Sequence, residues 1–479
     1  MEQLSGQDAT FLYVESPRMP MHIGSLNIYD QSTADGGSVR FKQILDLVES
    51  RLHLARAFRQ RLARVPLELD YPYWINDPAF DLEFHVRHIA LPKPGDWRQL
   101  CIQTARLHSR ILDLTRPLWE FYVIEGLDRV EGLPEGSYAL LTKFHHAAID
   151  GATGTEITTV LHDLAPEGTL LPPDRPWVAE RPPSGLELLV RTYGNNIRQP
   201  FRLLKVIADA VPAVADTRRR LQRQELRGAG EAPDTIFNAR VSPHRVFEGR
   251  DFDLADVKTI RRAVPGSTVN DAVLAICGGA IRRYLLHRGA LPEESLIATA
   301  PVNVRSETDK GSGGNQVSAM FVSIRTDVPG ALDRLAAVHE HTRDAKELVH
   351  AIGARLMTDI NQHIPAATLA LAGRLVTQMG LANMMSPVCN CVITNVPGPQ
   401  VPLYMNGAQL VTQYGLGPVT DAIGLFIPVL SYNGHLTISF ASCREMVPDP
   451  GYFAECFQES FDEMLAAARS ADAHAPLDN

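Results

Sequence analysis

The sequence predicts an α/β fold of two lobes in which helices and strands are mixed. The chain has 479 residues, which is long for a single hydrophobic core. Its helix and strand patterns are mixed without strict βαβ alternation, which argues against a Rossmann or barrel fold. A proline-rich stretch at residues 166–185 interrupts these patterns and indicates a boundary between the lobes.

The chain divides into four predicted segments. Residues 1–165 form an N-terminal lobe, and residues 166–235 form a crossing linker that is first proline-rich and then basic and helical. Residues 236–466 form a C-terminal lobe, and residues 467–479 are expected to be a frayed tail. The linker begins with six prolines between Pro166 and Gly185, too many for a helix or a central strand.

Apolar periodicity predicts the elements of each lobe. The predicted helices are Phe41–Leu62, Trp97–Leu112, Gly154–Leu164, a stretch over residues 186–226, and Asn270–His287. The predicted strands are Met21–Tyr29, Glu120–Gly126, Ser137–His145, Leu296–Val304, Gln316–Ile324, Cys389–Asn395, Ile423–Tyr432 and His435–Ser442. Asn433-Gly434, between the last two strands, is a strong hairpin signal because both positions tolerate positive φ.

Composition and charge exclude several classes of protein. The net charge of −9 argues against a nucleic-acid binder. The polar start and the absence of a long apolar run argue against a signal peptide or a membrane span. The six cysteines form no Cys-x-x-Cys pair, so buried free thiols in a reducing cytoplasm are the simplest expectation.

The most informative segment is Phe144–Gly151, with the sequence FHHAAIDG. His145 and His146 stand where a predicted strand ends, and Asp150 follows in the loop. Adjacent strand residues point to opposite faces, so the two histidines are poorly placed to share a metal ion. Acid–base catalysis and ordinary structural histidines both remain open from these residues alone.

Further motifs along the chain carry a resemblance to a known family. The pattern His-His-x-x-x-Asp-Gly resembles the signature of the acyl-CoA-dependent acyltransferases, which include chloramphenicol acetyltransferase and condensation domains. The ordered set of motifs resembles one branch of them, the bacterial wax ester synthase/diacylglycerol acyltransferases. The matching blocks are Leu4–Leu12, Pro20–Gly24, Phe80–Leu82, His85–His88, Arg116–Glu120, Val269–Asp271, Pro301–Arg305, Gly314-Asn315, Asn395–Pro399 and Ser431–Gly434.

The resemblance implies two chloramphenicol-acetyltransferase-like lobes with the active site in a tunnel between them. It implies transfer of a long-chain acyl group from acyl-CoA, a cosubstrate, to diacylglycerol or a long-chain alcohol, with no metal and no cofactor. One alternative is an acyltransferase of the same superfamily that uses a carrier protein or a polyketide. Another is a catalytically silent protein that binds lipid or coats droplets. The oligomeric state is left open.

Individual residue roles follow from the same resemblance. His146 is the expected general base, and His145 supports the strand end. Asp150 is expected to hold the loop by pairing with Arg305, and Gly151 allows the tight turn into the next helix. Asn270 and Asp271 are expected near the site, either as donors to the oxyanion or substrate or as a helix cap. The other expected site residues line an acyl channel or belong to the core: Pro117, Leu118 and Trp119.

A basic stretch in the linker suggests a lipid surface. Between residues 196 and 224, seven Arg or Lys residues interleave with apolar side chains, against two aspartates. Such a segment suits an anionic membrane or lipid droplet, and a solvated linker helix is the alternative. We therefore expect a cytoplasmic protein that associates peripherally with membranes or droplets and does not bind nucleic acid.

Overall fold

A computed structural model describes residues 1–149, 153–173, 178–193, 231–303, 317–352, 366, 368–371 and 386–473. The predictions for Asp150, Gly151, Arg305 and linker residues 194–230 therefore lie outside the described residues. Everything below refers to the described ranges.

The α-helices range from 4 to 24 residues, and short 3₁₀ turns lie between some of them. The α-helices are α1 (Gly6–Val14), α2 (Phe41–Arg51), α3 (Leu82–His85), α4 (Trp97–His108), α5 (Thr153–Leu161), α6 (185–193), α7 (Leu254–Arg262), α8 (Val269–His287), α9 (Ala331–Ile352) and α10 (Pro450–Ala473). Short 3₁₀ turns cover Gln31–Thr33, Asp35–Gly37, Leu52–Leu54, Arg56–Phe58, Pro66–Glu68, His146–Ala148 and Ile236–Asn238.

In the described part of the chain, the strands form two six-stranded sheets and one small sheet. They are β1 (Glu2–Gln3), β2 (His22–Asp30), β3 (Gln60–Ala63), β4 (Tyr73–Asn76), β5 (Val86–Ala90), β6 (Trp119–Glu125), β7 (Tyr138–His145), β8 (Arg245–Asp253), β9 (Ile297–Asn303), β10 (Val317–Ser323), β11 (Cys391–Pro397), β12 (Tyr404–Met405), β13 (Ala408–Leu416), β14 (Leu425–Tyr432) and β15 (His435–Cys443). The first large sheet has the order β12-β13-β2-β7-β6-β5, the second β10-β9-β11-β14-β15-β8, and the small sheet β1-β4-β3. This mixture of sheets and helices confirms the predicted α/β class.

Strand β7 lies in the middle of the first sheet, between β2 and β6. Its eight residues are all buried, which explains the continuous apolar run seen in the sequence. It pairs antiparallel with β2 so that His145 lies opposite His22. A Cβ at Gly24 would clash with the carbonyl of Thr142, so the close approach of the two strands requires glycine at this position.

The C-terminal half of the chain returns to complete the first sheet. Strand β13 lies within the range predicted for the C-terminal lobe, yet it pairs antiparallel with β2, with Tyr414 opposite Leu26. The hydroxyls of Thr437 and Ser439 in β15 also donate to carbonyl oxygens of β13 at 2.7 and 2.9 Å. The two sheets are thus joined by strand exchange and by side-chain hydrogen bonds, and a cut at residue 236 does not separate them.

Helix α2 is shorter than predicted. It ends at Arg51 instead of Leu62, and two 3₁₀ turns and strand β3 follow. The buried Arg51 guanidinium donates to the carboxylate of Asp163 at 2.6 Å, and Phe58 packs edge-on against Trp119 at 5.1 Å. These tertiary contacts outweigh the local preference for a continuous helix, which sequence periodicity alone reports.

The ends of the chain's longer helices also differ from prediction. Helix α4 ends at His108, four residues earlier than expected. Thr268, and not Asn270, is the N-cap of α8, because its hydroxyl accepts the backbone N–H of Asp271. Helix α10 continues to Ala473, so residues 467–473 are helical, although they were expected to fray.

The predictions for the hairpin and the cysteines are confirmed. Asn433 and Gly434 form the turn between β14 and β15 with φ of 45° and 85°, as a two-residue hairpin requires. All six cysteines are buried free thiols. None of the described helices is long and apolar enough to cross a bilayer.

Candidate active site

The candidate site lies at the end of β7, where the two predicted catalytic histidines follow one another. The backbone N–H of His145 donates to the carbonyl of Leu118 at 2.9 Å, and that of His146 donates to the carbonyl of Met21 at 2.8 Å. Both backbone positions are therefore held by neighbouring segments of the first sheet. This is the rigid support that a catalytic side chain needs.

The imidazole of His146 is half-buried and stacks on the ring of Phe11. The two ring centroids are 3.8 Å apart and the planes differ by 12°. Its Nδ1 is buried and has no hydrogen-bond partner among the described residues. Burial lowers the pKa of His146 to about 4, so the ring is neutral near pH 7 and able to accept a proton.

Helix α1 connects the candidate site to the hydrophobic core of the C-terminal lobe. Phe11 contacts His146 on one side and packs against the hydrophobic core of the C-terminal lobe on the other. Met21, whose carbonyl holds the His146 backbone, belongs to that same core. His146 therefore lies where the two lobes meet.

His145 is fully buried and bonded within the protein. Its Nδ1 accepts the backbone N–H of Ala147 at 3.0 Å, so in the neutral ring the proton is on Nε2. That Nε2 lies 3.5 Å from Oε1 of Glu15. His145 thus connects the turn that begins at His146 to a carboxylate at the end of α1.

Glu15 is the centre of a buried polar cluster. Its Oε1 lies 3.4 Å from Nε2 of His22 and accepts the backbone N–H of Met21 at 3.1 Å. Burial raises the pKa of the Glu15 carboxyl, but the contacts with His145 and His22 outweigh burial and hold the pKa well below its usual value. Burial lowers the pKa of His22 to about 4, although its contact with Glu15 opposes that shift.

A second charged group lies beneath this cluster. The ammonium of Lys143 is fully buried, lies 3.4 Å from Glu120, and donates to the carbonyls of Leu107 and Arg110 at the end of α4. Burial lowers the pKa of Lys143 to about 8, although Glu120 opposes that shift. Lys143 precedes His145 by two residues in β7, and its hydrogen bonds connect that strand to the end of α4.

The predicted acyl-channel residues are located in the protein core. Pro117 is buried, and Leu118 and Trp119 have no accessible surface. The indole Nε1 of Trp119 donates to the carbonyl of Phe58 at 2.9 Å. In this structure the three residues support the strand end through the Leu118 carbonyl, and their contact with an acyl chain stays a prediction.

Asn270 and Asp271 lie at the start of α8. The Asp271 carboxylate accepts the backbone N–H of Thr268 at 2.8 Å and contacts Nδ1 of His339 at 3.0 Å, so it closes the helix cap. Asn270 is half-buried, and its Oδ1 accepts from the amide of Asn395 at 3.4 Å. That contact orients the Asn270 amide, while the substrate contacts of both residues stay predictions.

A cavity of about 520 Å³ adjoins the C-terminal end of α1. Apolar side chains of Leu12, Val65, Ile111 and Leu114 form much of its wall. Its charged lining is mainly acidic and includes Glu15 of the buried cluster. Its size is within the usual range of about 300–1,000 Å³ for small-molecule pockets. Within the described ranges, no group of three His, Cys, Asp or Glu side chains could hold a metal ion.

Sequence reasoning missed three residues of this site. Phe11 and His22 lie inside motif blocks already noted, and Glu15 lies between those blocks. Pairing the predicted strand Met21–Tyr29 with Ser137–His145 in antiparallel register would have brought His22 opposite His145. No local signal links Glu15 to either histidine, because the contact depends on the angle at which α1 packs.

Comparison with known proteins identifies the family. The profile of the wax ester synthase/diacylglycerol acyltransferase catalytic domain matches residues 4–273, and that of the C-terminal domain of the same family matches residues 313–465. The chain belongs to the wax ester synthase/diacylglycerol acyltransferase family. It is therefore an O-acyltransferase, and His146 occupies the second histidine position of the family's His-His-x-x-x-Asp-Gly motif.

The match to relatives covers nearly the whole length of this chain and of each relative. A Mycobacterium tuberculosis protein assigned to the diacylglycerol O-acyltransferases, Rv1760, is 34% identical over 97% of this chain and 90% of its own length. Another from the same organism, tgs2, is 32% identical over 94% of this chain and 95% of its own.

Solved structures agree with the family fold. The wax ester synthase/diacylglycerol acyltransferase of Marinobacter aquaeolei VT8 superposes with a TM-score of 0.69 at 28% identity, covering 98% of this chain and 100% of that one. The starter condensation domain of rhizomide synthetase RzmA gives a TM-score of 0.54 at 15% identity, covering 98% and 95%. The second likeness bears on the fold alone, and together they support the expected two-lobed architecture.

Proposed function

We propose that this family member transfers a long-chain acyl group from acyl-CoA to the hydroxyl of diacylglycerol or a long-chain alcohol. The products are triacylglycerol or wax ester and free coenzyme A. The observation that carries the proposal is a neutral, half-buried imidazole at position 146, held on a rigid strand end where the two lobes meet.

The proposed reaction is direct attack within a ternary complex. His146 accepts the proton of the acceptor hydroxyl as its oxygen attacks the thioester carbonyl, forming a tetrahedral intermediate. The intermediate collapses, the carbon–sulfur bond breaks, and the departing thiolate takes the proton back from the imidazolium. A base in this position contributes about 10²–10⁴-fold to the rate.

Other residues have supporting roles in this proposal. Asp150 and Arg305 pair to hold the loop after the histidines, and Gly151 permits its turn into α5. Asn270, whose Oδ1 is already engaged by Asn395, offers its amide N–H to the oxyanion or substrate. No covalent acyl-enzyme is needed, since the hydroxyl attacks the thioester itself.

The lining of the cavity beside α1 is better suited to a neutral acceptor lipid than to coenzyme A. Its charged lining contains Glu15, Glu68 and Asp70 against Arg64, a balance that opposes the phosphates of coenzyme A. Its apolar wall suits the chain of an alcohol or a glyceride. We therefore propose that the acceptor lipid occupies this cavity.

An acyl-transfer assay tests the proposed function. The parent chain and His146→Ala are each supplied with labelled palmitoyl-CoA and with diacylglycerol, hexadecanol or no acceptor. We expect ester product from the parent and a rate at least ~10²-fold lower from the variant. His88→Ala, at an exposed histidine of the same sheet, is the matched control and keeps the parent rate.

The same assay separates the alternatives. Lipid binding without turnover in both proteins would support a silent lipid-binding or droplet-coating protein and contradict the enzyme proposal. Turnover with an acyl carrier protein as donor, and none with palmitoyl-CoA, would support the carrier-linked acyltransferase.

We also propose that the protein associates peripherally with an anionic lipid surface. Helix α6 packs Leu188 into the protein but exposes Leu186, Val190 and Tyr193 by 73, 68 and 74%, at helical spacing on one face. The basic stretch 196–224 follows it in sequence. An apolar face beside basic residues is typical of helices that lie on membranes.

Liposome flotation tests this association. Replacing Leu186 and Val190 by Ser, or Arg218, Arg219 and Arg220 by Glu, is expected to reduce recovery with phosphatidylserine vesicles. Vesicles of neutral lipid are the control. Undiminished flotation of both variants would exclude this region as the anchor.

A further inference from the structure

The first helix contacts the catalytic histidine directly. Phe11 lies face-to-face on the His146 ring, with centroids 3.8 Å apart and planes within 12°. Because Nδ1 of His146 has no partner among the described residues, no hydrogen bond at that nitrogen fixes the ring plane. The stack is the described contact that does so, and it also keeps water from one face of the imidazole.

The end of the same helix contacts the histidine behind. Glu15 follows Phe11 by four residues, so both side chains lie on one side of the helix end. Its carboxylate, 5% exposed, lies 3.5 Å from Nε2 of His145 and 3.4 Å from Nε2 of His22. The carboxylate therefore lies beside the rings of two opposed residues of β7 and β2, whose Nδ1 atoms are held by the N–H of Ala147 and the carbonyl of His108.

Glu15 also reaches the backbone of His146 through one intermediate residue. The carboxylate accepts the N–H of Met21 at 3.1 Å, and the Met21 carbonyl accepts the N–H of His146 at 2.8 Å. The residue that carries the base is therefore held at its ring by Phe11 and at its backbone by the segment that Glu15 anchors. Both contacts originate from one short helix.

We propose that Phe11 and Glu15 are positioning residues for acyl transfer: Phe11 fixes the plane of the His146 imidazole, and Glu15 fixes the strand end that carries it. Neither residue exchanges a proton with substrate in this scheme. The proposal rests on the proposed role of His146 as general base. It extends the site beyond the His-His-x-x-x-Asp-Gly motif to a helix near the start of the chain.

The chain contains a matched control for each residue. Phe41 stacks on His88 with centroids 4.7 Å apart and planes within 11°, and Oε1 of Glu125 lies 2.9 Å from Nε2 of His88. In this second set, Phe41 begins helix α2, His88 lies on the edge strand β5, and Glu125 ends the neighbouring strand β6. Phe41→Leu and Glu125→Gln therefore remove the same kinds of contact away from the site.

The experiment compares Phe11→Leu, Phe11→Tyr and Glu15→Gln with the two controls in the full chain. We expect Phe11→Leu and Glu15→Gln to lower kcat by about 10–100-fold with KM for palmitoyl-CoA within about twofold, because a displaced base affects the chemical step. Phe11→Tyr, which keeps the stack, should restore most of kcat. Both controls should keep the parent kcat.

A second readout does not depend on activity. Diethyl pyrocarbonate modifies the neutral imidazole, and mass spectrometry of the peptide containing His146 gives its rate of modification against pH. Phe11→Leu should accelerate modification of His146 and move its pH midpoint upward, since water gains access to the ring. Phe41→Leu should leave the His146 peptide unchanged.

The two readouts distinguish the possible failures. An inactive parent whose His146 labelling still responds to Phe11→Leu would contradict the proposed function but not the positioning. An active parent with unchanged kcat and unchanged labelling in Phe11→Leu and Glu15→Gln would overturn the positioning alone. Equal losses in kcat and melting temperature for the two variants and both controls would indicate general destabilisation and would also overturn it.

Discussion

Two phenylalanine–histidine stacks beside the first sheet have almost the same angle between their ring planes and different surroundings. Phe11 on His146 and Phe41 on His88 are parallel within 12° and 11°. His88 is on an edge strand and is 38% exposed, whereas His146 follows the central strand β7 at the meeting of the lobes. A stacked histidine is therefore not in itself a sign of catalysis, and its environment is what distinguishes it.

The glutamates near the two stacks show the same difference. Glu125 is 51% exposed beside His88, where water screens the pair, so their interaction contributes little to stability. Glu15 is 5% exposed, and its contacts with His145 and His22 hold its pKa well below the usual value against the opposing effect of burial. In the buried cluster, the protonation of Glu15 therefore depends on the folded structure.

The largest expected effect is the loss of stability when the charge of the buried Lys143 is removed. Lys143→Met should lower the free energy of unfolding by about 2–4 kcal/mol, because it leaves two carbonyls at the end of α4 without their donor and the buried Glu120 carboxylate paired with Arg87 but not with Lys143. Urea unfolding measures the change. A loss below about 1 kcal/mol would show that Glu120 is satisfied by its other contacts.

The pH dependence of the free energy of unfolding should also report on the buried cluster. The unfolded chain protonates histidine below about pH 6.5, while His22 stays neutral in the folded state down to its pKa of about 4. The unfolded state thus binds more protons between these values, and stability falls as the pH is lowered through that window. His22 alone should account for about 2–3 kcal/mol of this loss.

Urea unfolding at pH 7 and pH 5 measures this effect. His22→Asn removes one of the titrating rings and should reduce the dependence, while His146, whose pKa burial also lowers to about 4, keeps part of it. The same slope in the parent and His22→Asn would mean that His22 is protonated in the folded protein.

The smallest effect is expected in the exposed cluster. A double-mutant cycle of His88→Ala and Glu125→Ala should give a coupling of about 0.5 kcal/mol or less that vanishes in high salt. The equivalent cycle of His145→Ala and Glu15→Ala should give a larger coupling that salt does not remove. Equal couplings in both cycles would contradict the distinction between the regions.

Local sequence predicted those parts of the molecule that depend on local physics. The strand Tyr138–His145, helix α8 and the hairpin at Asn433-Gly434 follow from apolar runs, periodicity and positive-φ residues. The histidine pair could be located at a strand end for the same reason. The family resemblance, carried by the order of the motifs, then supplied the two-lobed fold and the expected base, which no periodicity could give.

Tertiary structure alone decided what lies around those histidines. Helix α2 stops at Arg51 because a buried guanidinium contacts Asp163, and β13 joins the first sheet although it lies in the C-terminal half. Phe11 and Glu15 reach the two histidines of the motif from 135 and 130 residues away along the chain. Such contacts depend on how separate elements pack, and neighbouring residues in the sequence contain no record of that packing.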